Sequence, residues 1–225
     1  MSSPRRALFA HVLPMAVFMV LLALREWLSG MSGAFALRHS EFWVYPVQTV
    51  LCAAIVVWFW RCYDFRALRN VPFTLLAAAA VFVLWICPQQ FFGFAPRTGG
   101  FDPALVISDP AIYWLTIALR FLRLVIVVPF VEEIFWRGFL LRYLIDEDFQ
   151  RVPFGAFSWL SFAVVTAAFA LSHSRADWAA AAVTGAVYNG VAYRTRSLPS
   201  CILAHAGTNL LLGLWIMHTR QWGFW

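Results

Sequence analysis

The sequence predicts an all-α, polytopic transmembrane bundle of about seven or eight helices with a polar site inside it. Three observations point there. Of the 225 residues, 62% are hydrophobic and only 12% are charged, where a soluble domain sits nearer half apolar and a quarter charged. The mean hydropathy is +0.73. Apolar runs close to the ~20 residues needed to cross hydrocarbon recur along the chain. The length suits one domain, so 1–225 reads as a single integral membrane domain.

The elements follow in order. Arg5 and Arg6 precede an apolar run that continues past Leu24 without a small-residue cleavage site, which reads as a retained first helix. Predicted spans are roughly 7–28, 43–60, 72–92, 112–130, 157–174, 178–193 and 199–217. Polar joints lie at 29–42, with Arg38 and Glu41, and at 61–71, with Arg61, Asp64, Arg66 and Arg69. Residues 93–111 hold Pro96, Gly99, Gly100, Pro103 and Pro110 and read as a loop. The region 111–145 is too long for one ordinary span, and Pro129 predicts a break or kink, with one helix before it and a second segment after it. Asp146, Glu147 and Asp148 end that apolar pattern, and Pro153 and Gly155 lie in the next joint.

The net charge is +6, and all 17 basic residues are arginine. With a cytoplasmic N-terminus and alternating spans, ten arginines fall on the cytoplasmic side and five on the other, which obeys the positive-inside rule. Arg120 and Arg123 fall inside a span, i and i+3 on one face, where they snorkel or turn inward. No basic run is long enough to follow a phosphate backbone, which argues against nucleic acid as a partner. Cys52, Cys62, Cys87 and Cys201 lack metal-ligand spacing and read as apolar packing residues. His11, His39 and His218 lie near span ends and read as interfacial.

Ionisable groups inside apolar segments are the informative departure. A charge near the bilayer centre costs about 2.5–3.5 kcal/mol on insertion scales, which offsets several apolar side chains. Three such places stand out: Glu132-Glu133-Ile-Phe-Trp-Arg137, Phe169-Ala-Leu-Ser-His173 and His205-Ala-Gly-Thr-Asn209. On an α-helix Glu133 and Arg137 are i, i+4 neighbours and can pair. Glu132 points about 100° away and is the carboxylate left over. His205 and Asn209 share a helix face, and Ala204, Ala206 and Gly207 allow close helix approach. Each element alone has a bland reading as an ion pair, an interfacial histidine or an interhelical hydrogen bond. Together they satisfy one another only by meeting in the bundle interior. Tyr188 and Asn189 interrupt an Ala/Val-rich helix and read as packing or support for the site.

Peptide hydrolysis suits these groups. No Ser or Cys stands beside a base in a nucleophile elbow, so water is the expected nucleophile. Burial raises a carboxylate's proton affinity and makes it a better base. Glu132 fits that role, with His173 sharing the proton. His205 and Asn209 offer N–H donors for an oxyanion.

The three motifs, in this order and setting, resemble the CPBP family of intramembrane glutamic proteases, which includes the CAAX prenyl endopeptidases. The family pattern is EExxxR, FxxxH and HxxxN or HxxxD on successive core helices. The resemblance covers about 112–217, and Tyr193-Arg-Thr-Arg-Ser-Leu is similar to the family's joint before the last motif. The compact size and Trp-rich ends also resemble the bacterial CAAX protease-related group found beside exosortase systems. The resemblance implies Glu132 and His173 as water-activating residues, His205 and Asn209 as the oxyanion site, and Glu133 and Arg137 as structuring residues, with no metal or other cofactor. It also implies a membrane-associated peptide or protein substrate, lipid-modified or not, in the bilayer of a bacterial inner membrane. Two other readings stay open. Glu132, His173 and His205 could serve as ligands of a zinc peptidase, or the chain could be a non-catalytic factor that binds a peptide or a lipid-modified partner.

Overall fold

A computed structural model describes residues 4–31, 34–65, 68–97 and 100–225. Arg66 and Gly99, singled out in the sequence, lie outside them. Among the described residues the regular structure is helical throughout, without strands. In chain order the helices are α1 (Pro4–Ser29), α2 (Phe35–Arg38), α3 (Glu41–Trp58), α4 (Val71–Phe91), α5 (Pro110–Phe121), α6 (Val128–Glu133), α7 (Leu141–Tyr143), α8 (Trp159–Leu171), α9 (Trp178–Thr195) and α10 (Leu198–Thr219). Pro4–Ser29, Glu41–Trp58, Val71–Phe91, Pro110–Tyr143 and Leu198–Thr219 are long and apolar enough to cross a membrane. The protein is an integral membrane helical bundle.

Contacts gather into two compact units, 1–63 with 103–135, and 64–102 with 136–225. In the first unit, α1 packs on α3. Pro14 sits inside α1 and has no N–H to give the carbonyl four residues back. That carbonyl belongs to Ala10, and the Tyr63 hydroxyl donates to it at 2.6 Å. Gln48 of α3 donates from Nε2 to the Phe18 carbonyl at 2.7 Å, and its Oε1 accepts from Arg123 Nε at 2.7 Å. Arg123 lies over the Tyr45 ring, 4.3 Å from its centroid, and Arg120 at 5.4 Å. Both arginines are buried, so they turn inward and do not snorkel. His11 is likewise buried, against the edge of Tyr63, with Nδ1 donating to the Ala7 carbonyl at 2.8 Å. The interfacial reading of His11 is therefore corrected: an imidazole whose N–H is satisfied within its own helix packs inside at little cost.

The break expected at Pro129 is absent. The helical stretch runs from Pro110 to Tyr143 over 34 residues, about 50 Å at 1.5 Å per residue. A π-helical turn, Leu122–Val127, immediately precedes α6, and Pro129 falls in the first turn of that helix. The missing N–H of Pro129 thus falls where the regular α-helical bonding pattern is already interrupted. A second π turn covers Ile134–Leu140.

In the second unit α8 packs on α9, and α10 packs on α4 and α9. A Cβ on Gly207 would stand 3.0 Å from Ala78 Cβ, so α10 and α4 approach as closely as the small residues suggest. Thr208 ties the same pair by donating to the Ala78 carbonyl at 3.0 Å. The N-terminus of α10 is fixed by Ser197, which accepts from Ser200 N, with Pro199 in the first turn. Ser200 then donates to the Arg69 carbonyl at 2.9 Å, which anchors the chain just before α4.

Candidate active site

The two acids stand on α6 of the first unit. Glu132 is 8% exposed and Glu133 fully buried, in the middle of an apolar stretch. The Oε2 atom of Glu132 accepts no hydrogen bond from any described residue. Arg123, on the π turn before α6, attracts the Glu132 carboxylate electrostatically. A buried carboxylate with an oxygen left over is costly unless it has work to do.

The second unit carries the remaining motif residues. Arg137 lies in the second π turn, not on a plain α-helical turn after Glu133 as expected. Its side chain is fully buried. Nε donates to Asn189 Oδ1 at 3.1 Å and Nη2 to the Gly185 carbonyl at 3.2 Å, both on α9. The guanidinium also lies 5.0 Å from the Phe169 ring centroid and 5.4 Å from that of Tyr188. Asn189 donates in turn to Thr166 Oγ1 of α8 at 3.1 Å. One guanidinium thus orders α8 and α9 together.

His173 lies just past the end of α8, half-buried, earlier than the span to 174 that hydropathy suggests. The reason is local. The hydroxyl of Ser172 donates to the Phe169 carbonyl at 2.8 Å, and His173 Nδ1 reaches the same oxygen at 2.7 Å. Two side chains satisfy a carbonyl that the helix leaves open, and the helix stops. A carbonyl only accepts, so Nδ1 bears the hydrogen and Nε2 keeps the lone pair. Phe169, at 4.7 Å between centroids, and the edge of Trp85, at 5.5 Å, hold the imidazole in place.

His205 is buried on α10 and lies against the Tyr188 ring at 5.2 Å, tilted by 34°. Asn209 is half-buried one turn further along α10. The second unit therefore brings Arg137, His173 and His205 into one continuous set of contacts through the rings of Phe169 and Tyr188. Tyr188 and Asn189, which the sequence marks as packing or support, hold that set together. A hydroxyl and an amide side by side among alanines and valines were the available signal. Gly185 belongs to it as well: a Cβ there would press on Phe169 at 3.2 Å. Among the described residues no three His, Cys, Asp or Glu side chains gather so as to hold a metal ion.

Residues 113–211 match the family model of the type II CAAX prenyl endopeptidases, Rce1-like, and that segment contains all three motifs. No curated protein and no solved structure matches the chain.

Proposed function

We propose that this chain, whose 113–211 segment belongs to the Rce1-like family of type II CAAX prenyl endopeptidases, hydrolyses a peptide bond of a membrane-associated substrate with a water activated by Glu132 and His173. The observation that carries this reading is the Glu132 carboxylate, buried in an apolar span with one oxygen that no described residue occupies. A carboxylate so placed accepts a proton from a bound water. His173 presents Nε2 as a second acceptor, because Nδ1 is committed to the Phe169 carbonyl. The hydroxide equivalent adds to the scissile carbonyl. His205 and Asn209 then donate N–H bonds to the oxyanion, and the proton held by Glu132 and His173 passes to the departing amine. Arg137, fixed by Asn189 and Gly185, holds α9 in place, and Glu133 is the other structuring residue.

The buried arginine and the ring contacts favour a rigid site over a flexible binding cleft. The substrate is a peptide or protein held at the bilayer, and the family's name points to a C-terminal, lipid-modified one. The setting proposed is a bacterial inner membrane with the N-terminus in the cytoplasm.

The test uses purified protein in bilayer nanodiscs with a membrane-tethered reporter peptide, read by mass spectrometry. Glu132→Gln is expected to retain the fold and lose cleavage by at least about 100-fold. Wild-type turnover in that variant would refute the glutamate mechanism. Loss of activity to a chelator, restored by Zn²⁺, would transfer the assignment to a zinc peptidase. A binding factor would show reporter capture without a new peptide end.

A further inference from the structure

A cavity of about 390 Å³ opens on the first unit, lined by Arg6, Val57, Trp58, Trp60 and Arg61. We propose that it is a binding site for the headgroup of one anionic phospholipid.

The site is built from two chain segments held together at one end of the α1–α3 pair. Arg6 stands in the first turn of α1. Val57 and Trp58 close α3, and Trp60 and Arg61 form the short 3-10 turn that follows. The clamp is Tyr63. Its hydroxyl holds the Ala10 carbonyl at 2.6 Å and its ring meets His11 edge-on at 5.3 Å, so the turn after α3 is pinned to the start of α1. Burial pushes the Tyr63 phenol up, which keeps it a donor throughout the physiological range. The two guanidinium-bearing side chains are thereby kept at one opening.

The lining has the two-part chemistry of a phospholipid. Arg6 and Arg61 are exposed and offer planar forks that match phosphate oxygens. Val57 and Trp58 are 68% and 78% exposed on the last turn of an apolar helix, where an acyl chain would run. Trp60, half-exposed beside them, is the residue type that settles at headgroup level. Basic pockets between membrane helices are suited to anionic headgroups by charge. None of these residues belongs to the candidate active site, so the proposal stands whether or not the peptidase reading does.

The experiment is native mass spectrometry of the full chain released from nanodiscs of equal parts phosphatidylglycerol and phosphatidylcholine. Wild type is expected to retain one phosphatidylglycerol in preference to phosphatidylcholine. Arg6→Gln with Arg61→Gln is expected to lower that preference by roughly tenfold or more. Arg151→Gln, a charge loss at another exposed site, is expected to leave it unchanged. Folding of each variant is checked by size exclusion and melting, and the two single variants substitute if the double variant aggregates. Equal retention of phosphatidylglycerol by wild type and the Arg6/Arg61 variants would overturn the proposal. An equal fall in Arg151→Gln would do the same, since it would reduce the effect to net charge.

Discussion

Replacing Arg137 with alanine removes more than a charge. The guanidinium donates to Asn189 Oδ1 at 3.1 Å and to the Gly185 carbonyl at 3.2 Å. Bonds to a charged donor contribute about 1.5–3 kcal/mol each. It also lies over Phe169 and Tyr188 at 5.0 and 5.4 Å, and such contacts add about 0.5–2 kcal/mol. These terms overlap, and together they put the loss at about 3–5 kcal/mol. In a chain of this size each kcal/mol moves the melting temperature by about 2–4 °C, so the loss is about 6–20 °C. The assay is thermal unfolding in one detergent, with Arg151→Ala as reference. Arg151 is 83% exposed in its side chain and pairs with Asp148 at 2.8 Å, and such a surface pair is worth about 0–1 kcal/mol. Arg137→Lys keeps the charge but loses the planar fork, and should fall between the two. Melting of Arg137→Ala within about 3 °C of Arg151→Ala would refute the reasoning.

Three further outcomes are expected. Gly207→Val should force α10 away from Ala78 of α4, costing about 1–3 kcal/mol, and a variant that melts with wild type would show that the close approach is not needed. Tyr63→Phe leaves the Ala10 carbonyl without its donor and should cost about 1–2 kcal/mol. Because burial raises the Tyr63 pKa above that of the unfolded chain, its contribution is complete below about pH 10 and declines as the unfolded phenol ionises above it; the difference between wild type and Tyr63→Phe should therefore shrink in alkali, and a constant difference would contradict a buried neutral phenol. Arg97→Met breaks the 2.6 Å pair with Asp177 and the 4.2 Å contact over Phe224, so proteolysis of the C-terminal Trp222–Phe224 turn should quicken, and unchanged digestion would argue against the clasp.

Composition and the lengths of the apolar runs made the helical membrane architecture legible, because lipid penalises polar groups by amounts that exceed most local preferences. The candidate site was legible for the same reason: Glu132, Glu133 and His205 stand out against apolar neighbours, and all three are buried. What hydropathy could not supply was the backbone. Pro129 reads as a break because a proline in a regular α-helix clashes with the turn before it, and nothing in the residue types marks Leu122–Val127 as a π turn. The end of α8 was placed about three residues late because Ser172 and His173 stop the helix through hydrogen bonds to Phe169, and a window averaged over the apolar residues before Leu171 does not register such local bonds. Asn189 reads as packing or support, but its partner is an arginine 52 positions away, and no local pattern encodes that distance.

The π turn ahead of α6 also makes the direction of the two acids depend on chain length, but unequally for loss and gain. A π turn holds about one residue more than an α turn. Deleting one residue from Leu122–Val127 would let that turn close to ordinary α geometry and would leave Glu132 and Glu133 near their present face. Each residue of an α-helix turns the chain by about 100°, so an inserted residue that nothing absorbs would swing both acids by about that angle about the helix axis. The hydropathy of the segment would hardly change in either case. This stretch should therefore accept apolar substitutions and a single deletion more readily than a single insertion, a sensitivity to counting more than to chemistry.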